Sequence, residues 1–148
     1  MFDAVEAGLN SLRMMPCPGC GERALAAREQ STGALVAACA RCDGRFDALA
    51  EVEVVTDPTS MLGGCCAGFR RHDLCWREAP GAPERTTRFE TWAQDHILLR
   101  PGDRVTLLFE PGDLRPGRRG RPMPLMVGNH TMRRAWALVG SAPVVTLR

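Results

Sequence analysis

The chain has no lysine and no tyrosine among its 148 residues, so all 19 basic side chains are arginine. A phosphate loop that ends on lysine, a Schiff-base lysine and a tyrosine general base are therefore all ruled out. Serine is scarce as well. None of Ser11, Ser31, Ser60 and Ser141 lies in a Gly-x-Ser-x-Gly elbow, so an ordinary hydrolase triad has no visible nucleophile. No run approaches the ~20 apolar residues of a membrane-spanning helix. Asp3 and Glu6 also stand where a secretory leader carries positive charge. The expectation is a soluble, cytoplasmic protein, and the arginine-only basic set reads as the codon usage of a GC-rich bacterial genome.

Against these absences stand seven cysteines, an odd number that suits a reducing compartment better than a disulfide framework. Four of them form two Cys-x-x-Cys pairs, Cys17-Pro18-Gly19-Cys20 and Cys39-Ala40-Arg41-Cys42, separated by 18 residues. That spacing is one at which four thiolates converge on a single tetrahedral zinc ion. Each pair brackets a tight turn, since Pro18 fixes one dihedral while Gly19 and Gly21 let backbone amides swing toward sulfur. The pattern between Pro16 and about Glu53 is knuckle, strand, turn, strand, knuckle, strand, with Ser31-Thr32-Gly33 as the turn and Leu49 to Val55 as an alternating run.

Residues 16–55 resemble the zinc-ribbon and rubredoxin-type knuckles. The resemblance implies four cysteine ligands on one structural ion, zinc with iron as its competitor, and no open coordination position. It is a motif shared by proteins of many functions, so it implies metal and shape rather than a reaction.

Elsewhere the chain reads as mainly β. Residues 1–15 are expected to form a short amphipathic helix, with Phe2, Val5, Leu9 and Leu12 on one face. Residues 16–56 form the ribbon, and 57–83 a cysteine-containing linker broken by Asp57-Pro58, Gly63-Gly64 and Pro80. Residues 84–148 are expected to form a small antiparallel barrel, SH3-like or OB-like. Pro101-Gly102-Asp103 and Pro111-Gly112-Asp113 serve there as matching turns around a Val105 to Phe109 strand. Thr86 to His96 is ambiguous, with helical spacing of its aromatics but threonines that favour a strand. No connection is long enough for a parallel crossover.

Two further clusters carry chemistry. Cys65, Cys66, His72 and Cys75 form a candidate second metal or redox site, because a His and a Cys three apart can meet on one turn. Buried structural thiols are the plainer reading. The loop containing Arg115, Arg118, Arg119 and Arg121, together with Arg133, Arg134 and Trp136, is the candidate surface for nucleic acid or another polyanion. Arg119-Gly120-Arg121-Pro122 looks like the core of the AT-hook, whose arginines lie in the minor groove of A·T-rich DNA. Met123 and Pro124 stand where the hook usually carries further basic residues.

Charge is divided along the chain: residues 1–95 hold 10 arginines against 14 acids, a balance of −4, and residues 96–148 hold 9 against 3, a balance of +6. The arginine loop therefore fits phosphate and the acidic N-terminal part equally well. The sequence points first to a non-catalytic zinc-binding adaptor on nucleic acid or a nucleoprotein assembly. The alternatives are an accessory subunit of a protein complex, docked through the N-terminal helix and ribbon, and a thiol-based redox protein. No small-molecule substrate is evident.

Overall fold

The computed structural model describes residues 12, 15–29, 35–62, 69–92, 97–114 and 122–138. Among the described residues, eight strands make up a single antiparallel sheet: β1 (Leu25–Glu29), β2 (Leu35–Cys39), β3 (Arg45–Leu62), β4 (Phe69–Arg77), β5 (Arg85–Trp92), β6 (Arg104–Phe109), β7 (Met126–Asn129) and β8 (Arg134–Ala137). The order is β1-β2-β3-β6-β7-β8, and β4 with β5 branches from the far half of β3. No helix among the described residues is long and apolar enough to cross a membrane.

Strand β3 is the spine. Its first residues pair with β2 on one edge, Asp47 opposite Val36, and with β6 on the other, Asp47 opposite Phe109. Past the middle, β4 takes the edge that β2 leaves, with Glu53 opposite both Arg77 and Arg104. Between these halves the register with β6 slips by one residue, because Leu49 faces Leu107 and Val52 faces Val105. Ala50 and Glu51 thus oppose Thr106 alone, and Glu51 adopts a positive φ of 53°. The bulge inverts which residues point to which face. Before it, Phe46 and Ala48 enter the core that contains the cysteines; after it, Val52 and Val54 enter the opposite one.

The sheet therefore carries a core on each face. One holds Leu12, Met15, Leu25, Ala37, Leu108 and Met126; the other holds Leu74, Trp76, Phe89, Val105, Leu107, Phe109 and Val127. Strands β6 and β7 serve both, with Leu108 and Met126 in the first core and Leu107 and Val127 in the second, and β6 is buried after its first residue. At Gly128 the space a Cβ would fill is taken by the Met15 side chain, which seats the N-terminal approach on β7.

Two details follow from local chemistry. Asp103 donates its N–H to the Arg100 carbonyl (3.0 Å) and Asp113 to that of Glu110 (3.1 Å), with Gly102 and Gly112 at φ 90° and 87°. Both Pro-Gly-Asp turns are thus built alike, glycine supplying the positive φ at the third position. Asp57-Pro58 does not end β3: the register slips again between Thr56 and Thr59, and the proline lies in that bulge, where the ladder makes no demand on its missing N–H.

The barrel expected for residues 84–148 is corrected here. Among the described residues the sheet is open, because β6 pairs with β3 and the C-terminal strands add to the sheet of β1 to β3 instead of closing on themselves. The segment read as a linker carries the end of β3 and all of β4. The ambiguous Thr86 region is mostly strand β5, whereas Ile97-Leu98-Leu99 is not a regular strand. The expected N-terminal helix lies almost wholly outside the described residues.

Candidate metal centre

The two cysteine pairs sit in matching loops, one before β1 and one that starts on the last residue of β2 and leads into β3. Their backbones match bond for bond. Cys17 N–H donates to Glu22 O (2.9 Å) and Cys39 N–H to Gly44 O (2.8 Å). Gly21 N–H returns to Cys17 O (2.8 Å) and Asp43 N–H to Cys39 O (3.0 Å). Gly19 N–H points at Cys17 Sγ (3.3 Å) and Arg41 N–H at Cys39 Sγ (3.4 Å). The fifth residue of each loop has positive φ, 80° at Gly21 and 60° at Asp43, a conformation that glycine and aspartate reach at least cost. A bond from Ala40 N–H to Ala24 O (3.1 Å) ties the second loop to the residue that precedes β1.

This pairing brings all four Sγ atoms within 4.8 Å of one another. The cross-loop separations are 3.7 Å for Cys17 and Cys42 and 3.6 Å for Cys20 and Cys39. Four sulfurs at about 2.3 Å from a tetrahedral ion lie about 3.8 Å apart, so the donor set and its size fit one zinc-like ion. The surroundings fit too. A Cβ on Gly44 would lie 3.2 Å from both Cys42 Sγ and the Phe46 ring, so that ring closes the centre from the side of the core.

Electrostatics alone do not favour four thiolates here. Burial pushes Cys17 up to about 12 despite the amides of Cys20 and Gly19. Cys39 is also pushed up by burial, but the amides of Cys42 and Arg41 and the neighbouring thiols bring it down to about 7. The free site therefore keeps protons that a metal must displace, while backbone dipoles favour anionic sulfur at the first position of the second loop.

His72 and Cys75 do not meet. Three residues apart on β4 they face opposite ways, because a strand alternates where a helical turn would align them. His72 lies in the core, stacked on Phe89 with centroids 5.0 Å apart, and its Nε2 pairs with Thr91 Oγ1 (2.9 Å). Cys75 faces the other way, its thiol donating to Glu84 Oε2 (3.7 Å). Burial and the Glu84 carboxylate raise its pKa, so this thiol keeps its proton. Cys65 and Cys66 lie outside the described residues, as do Arg115, Arg118, Arg119 and Arg121. Arg133 and Arg134 are exposed at the turn into β8, whereas Trp136 is half-buried against the second core and offers only part of its ring.

Sequence reasoning missed the polar cluster at the β3 bulge. Glu51 N–H donates to Thr106 Oγ1 (3.1 Å), Arg104 Nη2 donates to Glu51 O (2.6 Å), and Thr106 Oγ1 contacts His130 Nε2 (2.6 Å). Burial lowers the His130 pKa, which suits an unprotonated Nε2 accepting the Thr106 hydroxyl. Thr106 is fully buried, so the cluster stabilises the bulge and presents no reactive hydroxyl. No family model, curated protein or solved structure matches the chain.

Proposed function

We propose that Cys17, Cys20, Cys39 and Cys42 hold one structural zinc ion, and that the chain is a non-catalytic binding module contacting nucleic acid or a nucleoprotein assembly through its arginine-rich surface. The observation that carries the metal reading is the equivalence of the two loops, whose sulfurs stand at tetrahedral separation. Four protein thiolates leave no open position, so the ion supplies folding energy and no reaction. Support for the partner comes from charge: the +6 balance of residues 96–148, with Arg133 and Arg134 exposed.

Metal analysis of the purified chain tests the first part and separates zinc from iron, which the same thiolates accept. Binding to duplex DNA across a salt series tests the second. The log-log slope should be about −0.9 for each phosphate contacted, and Arg133→Ala with Arg134→Ala should reduce it. Affinity indifferent to salt contradicts the nucleic-acid reading. An accessory subunit is the second reading, supported by Trp92, which is 47% exposed at the end of edge strand β5 beside Phe69. Loss of a co-purifying protein on Trp92→Ala, with no nucleic acid bound, favours it.

A further inference from the structure

The four cysteines of the centre are not equally sheltered. Cys17 and Cys39 are buried at 1% and 2% exposure, Cys20 is intermediate and Cys42 is exposed. Amide hydrogen bonds to sulfur reach Cys17 and Cys39, and the Glu22 amide acts on Cys20, which draws electron density from these three sulfurs. Cys42 is also bracketed by Arg41 and by Asp43-Gly44, with no bulky side chain on its C-terminal side. Its sulfur lies 3.7 Å from that of Cys17 on the other loop.

We propose that Cys42 is the reactive sulfur of the centre, a modification site for hydrogen peroxide and related small electrophiles, with Cys17 as its resolving partner. This inference rests on the metal reading above, since a bound ion keeps all four cysteines as thiolates at neutral pH. The Cys42 sulfur attacks one peroxide oxygen: the O–O bond breaks, an S–O bond forms, and the departing hydroxide takes a proton from solvent. Cys17 then attacks the Cys42 sulfur: an S–S bond forms, the S–O bond breaks, and a second hydroxide leaves and is protonated. Two thiolates lose two electrons in all, and one hydrogen peroxide becomes two waters. Closing the pair from 3.7 Å to a disulfide of about 2.05 Å needs a small shift of two loops already in contact. Only Cys20 and Cys39 then remain as ligands, so oxidation empties the site and couples the fold of this end of the sheet to peroxide.

A shallow cavity of about 210 Å³ lined by Ala26, Ala38, Cys39, Ala40, Asp43 and Arg45 opens beside the second loop. Oxidation of Cys39 through it is the competing outcome. The arginines make the test clean, because tryptic cleavage after Arg13, Arg23, Arg28, Arg41 and Arg45 puts Cys42 in a four-residue peptide apart from Cys39 and from Cys17 with Cys20. The full chain is first assayed for bound metal, then treated with less than one equivalent of hydrogen peroxide, alkylated under denaturing conditions and mapped by mass spectrometry. Metal release to a chromophoric chelator is followed in parallel. The expected product links Cys42 to Cys17, appears at least about 5-fold faster than any product at Cys39, and rises in step with released metal. Cys42→His, which keeps a ligand and loses the redox sulfur, should slow peroxide-driven release by about 10-fold. Oxidation of Cys39 first, or metal release while Cys42 stays reduced, overturns the inference and leaves the metal reading intact. A chain without bound metal overturns both.

Discussion

Substituting Gly128 by alanine should destabilise the protein, although alanine suits a strand interior better than glycine does. The added Cβ would clash with the Met15 sulfur and lie 2.9 Å from its terminal methyl, while Thr106 on β6 and Ala135 on β8 flank the position. Overpacking of this kind costs about 1–3 kcal/mol, and ~2 is reasonable for a flexible thioether that shifts in part. Removing the occupant by Met15→Ala, at a residue 1% exposed, should cost about 3 kcal/mol through the hole it leaves. If the two side chains compete for one space, the double variant loses less than the ~5 kcal/mol sum, because the new methyl enters the hole. A double-variant cost of about 3 kcal/mol, a coupling of about 2, is the expected result. Urea unfolding of the metal-loaded proteins at fixed free metal measures all three. Costs that add within about 0.5 kcal/mol would refute the placement of Met15 over β7.

Three further outcomes follow from single features. Asp47, 8% exposed, accepts from Gly112 N–H (3.0 Å) and Leu114 N–H (3.2 Å) through Oδ2, so Asp47→Ala should lower stability by roughly 1.5–3 kcal/mol; an unchanged urea midpoint contradicts that role. Glu51→Gly should stabilise by about 1 kcal/mol, because it relieves a positive φ while the backbone bonds to Thr106 and Arg104 remain; a loss of stability means that the carboxylate matters more than the strain. His72 is held below its ordinary value of 6.5 by burial and then by Arg70. Its neutral form contributes fully above about pH 6.5, and that contribution is lost as the pH falls toward the folded value, since only the unfolded chain takes up the proton readily. His130 shifts the same way. His72→Gln should therefore flatten part of the stability loss between neutral and acidic pH, and a superimposable pH profile would exclude the buried ring as a contributor.

The sequence announced the centre far better than the sheet around it. Two Cys-x-x-Cys pairs impose their own local geometry, so the loops at Cys17 and Cys39 and the strands between them were legible from spacing alone. The paired Pro-Gly-Asp turns were legible for the same reason, since proline and glycine fix dihedrals whatever surrounds them. The partners of β3 were hidden. Nothing local marks a strand that serves β2, β4 and β6 at once, and the Glu51 bulge that lets it face two cores carries a residue with no preference for positive φ. His72 and Cys75 show the opposite failure: a three-residue spacing means one site on a helix and two faces on a strand, and composition around them did not say which.

Whether four sulfurs surround one ion is tested most directly by zinc-edge X-ray absorption of the purified protein. The spectrum should show one zinc per chain with four sulfur neighbours at about 2.3 Å, and the Cys39→Ser protein should lose the ion. A shell with nitrogen or oxygen at about 2.0–2.1 Å in place of sulfur, or a folded chain that binds no stoichiometric metal, would contradict that coordination.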